Sequence, residues 1–432
     1  MGGKIPGIMF GIAVLYMSHT CYICQCPKAK YRPAQLAAFD MAFCKAIEPA
    51  LPADLDHRLE DLAYELVSAA SALAGQIHPL VQRSIGDLVR SMNCYYSNLI
   101  EGHNTVPRDI ERALAKDYSA EPEKRNLQLE AVAHIEVQRM IDSGTDEPSE
   151  PVSRSYIQWL HREFCSRLPE ALLWGENPDS GERLQIVPGE IRARSVKVGS
   201  HIPPTGEQLG DCLLRFEEIY SDPMSKFRKL VATAAAHHRL LWIHPFLDGN
   251  GRVARLLAHA MFRRLGIGSS LWAVSRGLAR NAAEYRALLM AADRPRENDY
   301  DGRGSLSERA LVDFCAFFLR VSIDQVRFMQ SILDPGNLLR RIERHCRDEG
   351  EAGRLPKASY PILRDALLQG SVERASVPGL VGLRERAARS VTAELLAKRL
   401  LVADSPRAPL RLGFPTEAVE RWFPSLYPAI DT

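Results

Sequence analysis

Apolar residues recur at the three- and four-residue spacing of buried helix faces over most of this chain. One such face covers residues 227–243, and Pro245 ends it because proline cannot extend a helix. A second face covers residues 253–261, and Gly266 follows it where a helix C-cap belongs. The pattern predicts a mostly α fold in which these two helices are joined by a short polar connection.

Alternating patterns typical of strands are short. Val196-Lys197-Val198 alternates and is bounded by Gly199 and a proline pair, which predicts a small hairpin beside the helical core. Near the end of the chain, residues 402–405 and 410–414 have the pattern of two strands joined by a turn.

We divide the chain into four parts. Residues 1–32 are an N-terminal extension, and residues 33–150 form an Ala- and Leu-rich helical domain that ends in a polar linker. Residues 151–345 form a second helical domain, and residues 350–432 form a C-terminal domain. A length of 432 residues exceeds one ordinary core, which agrees with several domains.

The C-terminal domain has the order helix, helix, helix, hairpin, which is the order of a winged helix. In a DNA-binding version the third helix would be the reading helix, with Arg386 and Arg389 facing phosphates. The alternative is that this domain binds another protein or the catalytic core and that its arginines are solvated. The sequence leaves both interpretations open.

Composition indicates an ordinary soluble protein, with 46% hydrophobic residues, 25% charged residues and a formal charge of +2. So small a charge does not imply nucleic acid or an acidic membrane as a partner. Nine cysteines, mostly isolated in helical patterns, indicate reduced thiols, and the cluster Cys21, Cys24 and Cys26 lacks the fourth ligand of a zinc site. The apolar run at residues 5–17 is too short to span a membrane, so we expect a cytoplasmic protein.

The polar connection between the two central helices has the chemistry of a phosphate site. Gly249 and Gly251 permit positive φ and close approach of a ligand, and the backbone amides that follow open a helix, where an anion is favoured. Arg252 and Arg255 are three residues apart, so both can reach neighbouring phosphate oxygens. Asp248 offers a hard oxygen ligand for Mg²⁺ beside those phosphates.

His244 begins this connection and supplies a base. A neutral imidazole can accept the proton of an incoming hydroxyl group. The alternative interpretation is that His244 only closes a helix and that the glycines form a surface turn.

The segment His244 to Arg255 resembles the signature HPFx(D/E)GNGRxxR of the Fic family and matches it at every specified position. Members of this family usually transfer AMP from ATP to a hydroxyl side chain of a protein. The resemblance implies that His244 is the general base, that Asp248 binds Mg²⁺ and that Arg255 orients the γ-phosphate. The residues that it places on ATP are Asp248, Gly249, Asn250, Gly251, Arg252, Val253, Ala254 and Arg255.

Two flanking segments extend the resemblance. The predicted hairpin resembles the Fic flap, which covers the nucleotide and docks the target by strand addition; the covering residues are Val198, Gly199, Ser200 and His201. Its alternative is an ordinary surface hairpin. Tyr285 resembles the residue beside the adenine, but the family often has two adjacent tyrosines where this chain has Tyr285-Arg286. The base of the donor nucleotide therefore stays open.

A further motif lies upstream, where a helical pattern ends in Ser97-Asn98-Leu99-Ile100-Glu101-Gly102. A glutamate at a helix C-terminus is unfavourable for its own helix and invites a cationic partner. The segment resembles the Fic inhibitory motif (S/T)xxxE(G/N), whose glutamate pairs with the second arginine of the signature, here Arg255. In some relatives the same glutamate positions water that removes AMP. The alternative is an exposed glutamate beside a turn.

These resemblances imply a protein adenylyltransferase that uses ATP with Mg²⁺, acts on a Ser, Thr or Tyr hydroxyl of a protein and is restrained by Glu101. The competing hypothesis is a DNA-associated transcriptional regulator whose Fic core senses nucleotide. A homodimer is a further expectation from the resemblance.

Overall fold

The computed structural model describes residues 22–23, 45–53, 57–176, 182–268 and 270–427. Over these residues the fold is mostly helical, as predicted, and its strands form three short antiparallel pairs. The apolar run at residues 5–17 and the cysteines at 21, 24 and 26 lie outside the described residues. Over the described part of the chain, no helix has the length and apolar character needed to cross a bilayer.

The N-terminal part contains strand β1 (Tyr22–Ile23), a 3₁₀ turn at Lys45–Ile47, and the helices α1 (Arg58–Gln76), α2 (Pro79–Ile100), α3 (Pro107–Leu114) and α4 (Pro122–Ser143). Proline stands at the first turn of α2, α3 and α4, where its missing N–H costs nothing. Gly144 ends α4 in the left-handed conformation, at the predicted linker.

The central part contains α5 (Arg154–Cys165), a 3₁₀ turn at Glu170–Leu172, β2 (Trp174–Glu176), β3 (Arg183–Gln185), β4 (Val196–Lys197), α6 (Leu209–Ser221), α7 (Lys226–Ile243), α8 (Asn250–Arg264), α9 (Ser275–Arg280), α10 (Ala282–Ala292) and α11 (Glu308–Leu333). Helix α7 is the centre of the core, with α6, α8 and α11 packed around it. Helix α11 also packs along α1 and α10, so the N-terminal and central parts share one hydrophobic core.

The C-terminal part follows α12 (Pro335–Glu351) and contains α13 (Ser359–Gln369), α14 (Val377–Val381), α15 (Glu385–Ala397), β5 (Leu401–Val402), β6 (Arg411–Leu412) and α16 (Thr416–Trp422). An isolated bridge joins Val372 to Leu410, beside the β5–β6 pair. This is the helix and hairpin order that the winged-helix prediction used. The predicted domain limits at residues 345 and 350 both lie inside the continuous helix α12.

The C-terminal part packs on α2. The Tyr96 hydroxyl donates to the Leu426 carbonyl oxygen at 3.0 Å, and the rings of Tyr95 and Tyr427 meet edge to face with centroids 5.4 Å apart. This contact favours the interpretation in which the C-terminal domain binds the rest of the chain. It also fixes the last turns of α2, the helix that carries the predicted inhibitory motif.

Two of the three strand pairs involve the segment between α5 and α6. Strands β2 and β3 form a hairpin, and β1 pairs antiparallel with β4, Tyr22 opposite Lys197 and Ile23 opposite Val196. The predicted strand at residues 196–198 is therefore present over 196–197, and its edge already carries a second strand.

Candidate active site

The polar connection between α7 and α8 has positive φ at Gly249, as the sequence analysis allowed, whereas Gly251 already lies within α8. His244 ends α7 with φ of 51°, and Gly249 precedes α8 with φ of 79°. The side chain of Asn250 closes the turn: its Oδ1 accepts from Phe246 N at 3.0 Å and its Nδ2 donates to Phe246 O at 2.9 Å. The Asn250 side chain is thus used within the turn, so its contribution to an anion hole comes from its backbone amide.

The His244 ring is half-buried at the mouth of this turn. Burial, together with the nearby Arg192 guanidinium, lowers the pKa of His244 to about 3. A hydrogen bond to the Leu241 backbone acts in the opposite direction and orients the ring. The imidazole is therefore neutral near pH 7, which is the form that accepts a proton.

Arg192 fastens the segment before β4 to this turn. Its Nε donates to the His244 carbonyl oxygen at 2.7 Å, and its terminal nitrogens donate to Arg194 O at 2.6 Å and Pro204 O at 2.7 Å. The Arg192 amide also donates to Pro245 O at 3.0 Å. The buried Arg192 guanidinium therefore joins the segment of the predicted flap to the turn that carries His244.

His161 on α5 supports the turn from the other side. Its ring stacks on Phe246 with centroids 3.9 Å apart, its Nδ1 accepts from Gly189 N at 2.8 Å, and the ring also bonds to the Asp248 backbone. Burial lowers the pKa of His161 to about 4, so the ring is a neutral bridge between the two segments.

Arg255 is held by the end of α2. Its Nε donates to the Ser97 hydroxyl at 2.9 Å, and its Nη2 donates to Ser97 O at 3.0 Å and to Glu101 Oε1 at 2.7 Å. The Arg255 side chain is 2% exposed and the Glu101 side chain 20%. The ion pair between Glu101 and Arg255 that the family resemblance implies is present. Ser97 holds the same arginine through two hydrogen bonds.

The Glu101 carboxylate also lies against the first turn of α8. A β-carbon at position 251 would overlap Glu101 Oε1, so this approach requires glycine there. The unpaired amides and the dipole of a helix N-terminus favour an anion at this place. Glu101 therefore lies beside the turn to which the sequence analysis assigned a phosphate.

Arg252, the other arginine of the turn, is paired with Glu130 of α4. Glu130 Oε2 lies 2.7 Å from His103 Nδ1, and that nitrogen lies 3.1 Å from Arg252 Nη2. The guanidinium carbon of Arg252 stands 5.3 Å from the centre of the Phe164 ring, a cation–π contact.

Asp248 is exposed at the turn. Over the described residues, no group of at least three His, Cys, Asp or Glu side chains is placed to hold a metal ion by itself. Mg²⁺ commonly binds one or two carboxylates together with substrate phosphates, and a single exposed carboxylate beside a helix N-terminus fits that donor set. The residues present therefore suit Mg²⁺ only in the company of a nucleotide.

The remaining predicted residues have distinct surroundings. Val198 and His201 close the tight turn of the flap, and His201 Nε2 lies 2.7 Å from Trp242 O. Tyr285 is buried in the core with its hydroxyl 2.7 Å from His237 Nε2, and its role beside adenine stays a prediction. Val253 and Ala254 have fully buried side chains, and the Val253 amide donates to Gly249 O, so their side chains pack the base of the turn.

The residues that the sequence analysis did not single out are His103, Glu130, His161 and Arg192. None has a fixed spacing to the turn, because each comes from another helix or loop. One signal was available: Glu130, His134 and Gln138 stand four residues apart on α4 and form a buried polar stripe on an otherwise apolar face.

A turn at a helix N-terminus, two arginines and a neutral histidine are thus brought together in one candidate phosphate site of a mostly helical fold. Residues 151–262 match the sequence model of the Fic/DOC family. A protein adenylyltransferase Fic of Nematostella vectensis is 30% identical over 174 residues, 40% of this chain and 37% of that relative. The relative of the same name from Drosophila erecta is 43% identical over 79 residues, 18% of this chain and 16% of that protein.

The chain thus matches well under half the length of these relatives. A crystal structure of a Fic family protein from Desulfovibrio desulfuricans G20 covers 84% of this chain and 98% of its own, with a TM-score of 0.50 at 16% identity, which shows a shared fold. The central part of the chain, residues 151–262, therefore carries a Fic/DOC family domain.

Proposed function

We propose that this protein is an adenylyltransferase that moves AMP from ATP to a hydroxyl group of a protein, and that Glu101 restrains it. The observation that carries the proposal is the position of the Glu101 carboxylate, between Arg255 and the first turn of α8. A carboxylate in this position indicates that the same donors can bind phosphate oxygens.

In the proposed reaction a ring nitrogen of His244 accepts the proton of the target hydroxyl. The hydroxyl oxygen forms a bond to the α-phosphorus of ATP, the bond from that phosphorus to the α,β-bridging oxygen breaks, and pyrophosphate leaves. Bound Mg²⁺, held by Asp248 and the phosphates, would neutralise part of their charge. The amides of the α8 N-terminus and Arg252 stabilise the charge that develops on the phosphate oxygens.

The flap is the proposed place for the target. The edge of β4 accepts a neighbouring strand, as its pairing with β1 illustrates, so an extended target segment has a docking edge near His244. Beside that edge Ile202 is 70% exposed, an apolar side chain available to a target. A target that uses this edge must replace β1.

The restraint follows from the site of Glu101. While Glu101 holds Arg255, that arginine is not available to a γ-phosphate, and ATP binds without productive orientation. The same carboxylate is 20% exposed and lies beside the phosphate position, so we include removal of AMP, through a water that Glu101 orients, as a second activity of the site.

DNA binding is the weaker alternative. Arg386 and Arg389 on α15 are exposed, but Arg389 pairs with Glu385 at 2.9 Å, which reduces the positive charge that this face offers to phosphates. The cytoplasmic location and the homodimer stay predictions.

The test is transfer of label from ATP labelled at the α-phosphate, followed by intact mass. We expect little label on the wild-type chain, automodification of Glu101→Gly in the presence of Mg²⁺, and none for Glu101→Gly combined with His244→Ala. Glu351→Gly is the matched control, because Glu351 also ends a helix but is exposed and outside the site. Equal labelling with and without His244 would refute the proposal, and loss of AMP from a modified protein, faster with Glu101 than without it, would establish the second activity.

A further inference from the structure

Arg252 is held by a carboxylate that lies outside the signature turn. Glu130 comes from the middle of α4 and is 1% exposed. One of its oxygens pairs with Arg252 Nη2 and the other lies 2.7 Å from His103 Nδ1, so both oxygens have cationic or hydrogen-bonding partners.

The charge on Glu130 is maintained in this position. Burial by itself raises the pKa of a carboxyl group, but the charge of Arg252 and the hydrogen bond from His103 more than offset it, and the pKa of Glu130 lies below its usual value. The hydrogen bond that His103 donates to the Glu130 carboxylate in turn raises the pKa of His103. Arg252, Glu130 and His103 therefore form one cluster, in which the Glu130 carboxylate contacts both of the other side chains.

Part of the Arg252 guanidinium remains unused. Its Nη2 faces Glu130, whereas its Nε is buried and has no hydrogen-bond partner among the described residues. A buried N–H without an acceptor is costly, and the first turn of α8 is where a phosphate oxygen would supply one. The ring of Phe164 supports the guanidinium plane from below, so its orientation is set before a ligand arrives.

The two carboxylates therefore differ in kind. Glu101 is at the rim, 20% exposed, and lies in the anion position itself. Glu130 is behind Arg252 and its other oxygen contacts His103, so a nucleotide can displace the Glu101 carboxylate without disturbing the Glu130 carboxylate.

We propose that Glu130 is a positioning residue for nucleotide binding. It holds one side of the Arg252 guanidinium against α4. The remaining N–H groups of the guanidinium then face the phosphates of a nucleoside triphosphate. The inference deepens the proposed function and rests on it for the identity of the ligand. In contrast to Glu101, Glu130 supports the active state.

The experiment compares Glu101→Gly with Glu101→Gly combined with Glu130→Gln, in the full chain. Binding of a non-hydrolysable ATP analogue with Mg²⁺ is measured by calorimetry, and KM and kcat for α-labelled ATP by transfer. We expect Kd and KM to rise at least about tenfold, with a smaller change in kcat, because a misplaced Arg252 weakens phosphate binding. Glu136→Gln is the matched control, since Glu136 lies on the same helix but pairs with Arg139 near the surface.

Other outcomes are decisive. A Kd within twofold of the Glu136 control would overturn the inference, and so would activation by Glu130→Gln while Glu101 is intact, because that result makes Glu130 a second restraint. If Glu130→Gln lowers the melting temperature by more than a few degrees, His103→Phe, at a half-exposed position, replaces it with a smaller expected rise in Kd of about threefold. Binding of the analogue without any transfer by Glu101→Gly would refute the proposed function alone.

Discussion

The restraint that we propose for Glu101 is open to a graded test. Glu101→Gly removes the carboxylate, whereas Glu101→Gln keeps the size of the side chain and one acceptor oxygen but removes the charge. If the restraint is electrostatic, activity should rise in the order wild type, Glu101→Gln, Glu101→Gly.

The magnitude follows from the contacts of Arg255. The bond to Glu101 at 2.7 Å is charge-assisted, and such bonds contribute about 1.5–3 kcal/mol, whereas neutral ones contribute about 0.5–1.5 kcal/mol. Both variants retain the two bonds from Arg255 to Ser97, so the arginine stays in place. At about 1.4 kcal/mol per factor of ten, Glu101→Gly should raise kcat/KM roughly 10- to 100-fold. Glu101→Gln should raise it by about tenfold or less.

The assay is the initial rate of automodification with α-labelled ATP at fixed Mg²⁺, repeated over a range of ATP concentrations. Glu351→Gly again serves as the control for loss of a glutamate at a helix end. If Glu101→Gln matches wild type while Glu101→Gly is active, bulk rather than charge restrains the enzyme. If both variants stay at the wild-type rate, the pairing with Arg255 does not restrain it at all.

Two further predictions concern buried histidines. Replacing His161 by Phe keeps a ring on Phe246 but removes the hydrogen bond from Gly189 N. We therefore expect a lower melting temperature and, in the Glu101→Gly background, a rate of AMP transfer that is reduced severalfold. An unchanged melting temperature and rate would show that the hydrogen bond and the stacking of His161 are dispensable. Burial lowers the pKa of His134 to about 3, so the unfolded chain binds the extra proton below about pH 6 and stability falls as pH falls. His134→Leu should remove up to about 1.4 kcal/mol per pH unit of that slope, measured by urea unfolding between pH 7 and pH 5, and an unchanged slope would refute the assignment.

The turn and its helices were predictable because their signals are local. Proline after His244, Gly249 before α8 and the apolar faces on both sides set the backbone within a dozen residues. The end of α2 was predictable for the same reason, since Gly102 follows Glu101 directly. The pairing of Glu101 with Arg255, 154 residues apart, came only from the family resemblance.

The partners of Arg252 could not be predicted in this way. His103 stands 149 residues before Arg252. The sequence alone does not distinguish Glu130 from the other helical glutamates of this chain that face solvent. What distinguishes Glu130 is burial, and burial depends on which face of α4 meets α2, α5 and α8. The limits of the C-terminal domain failed to coincide with a loop for a related reason: Pro335 starts a new helix after Asp334 rather than ending the helical region.

The site is built where polar stripes of three helices meet. On α2 the stripe is Asn93, Ser97 and Glu101; on α4 it is Glu130, His134 and Gln138; on α8 it is Arg252, Arg255 and His259. Asn93 Nδ2 donates to Gln138 Oε1 at 2.8 Å, so the first two stripes also join each other behind the arginines. Each stripe has the four- or three-residue spacing that places side chains on one helix face.

This arrangement explains why two carboxylates can serve opposite purposes in one cluster. Two arginines buried without counter-ions would be costly, and Glu101 and Glu130 balance them in the resting chain. A nucleotide brings its own negative charge, so one carboxylate becomes redundant when it binds. The exposure of the two carboxylates indicates which one is displaced. Glu101 is 20% exposed beside the first turn of α8 and can turn to solvent. Glu130 is 1% exposed, is held by Arg252 and His103, and keeps its place. In the proposed function, the N-terminal helices therefore supply half of the phosphate site as well as the glutamate that restrains it.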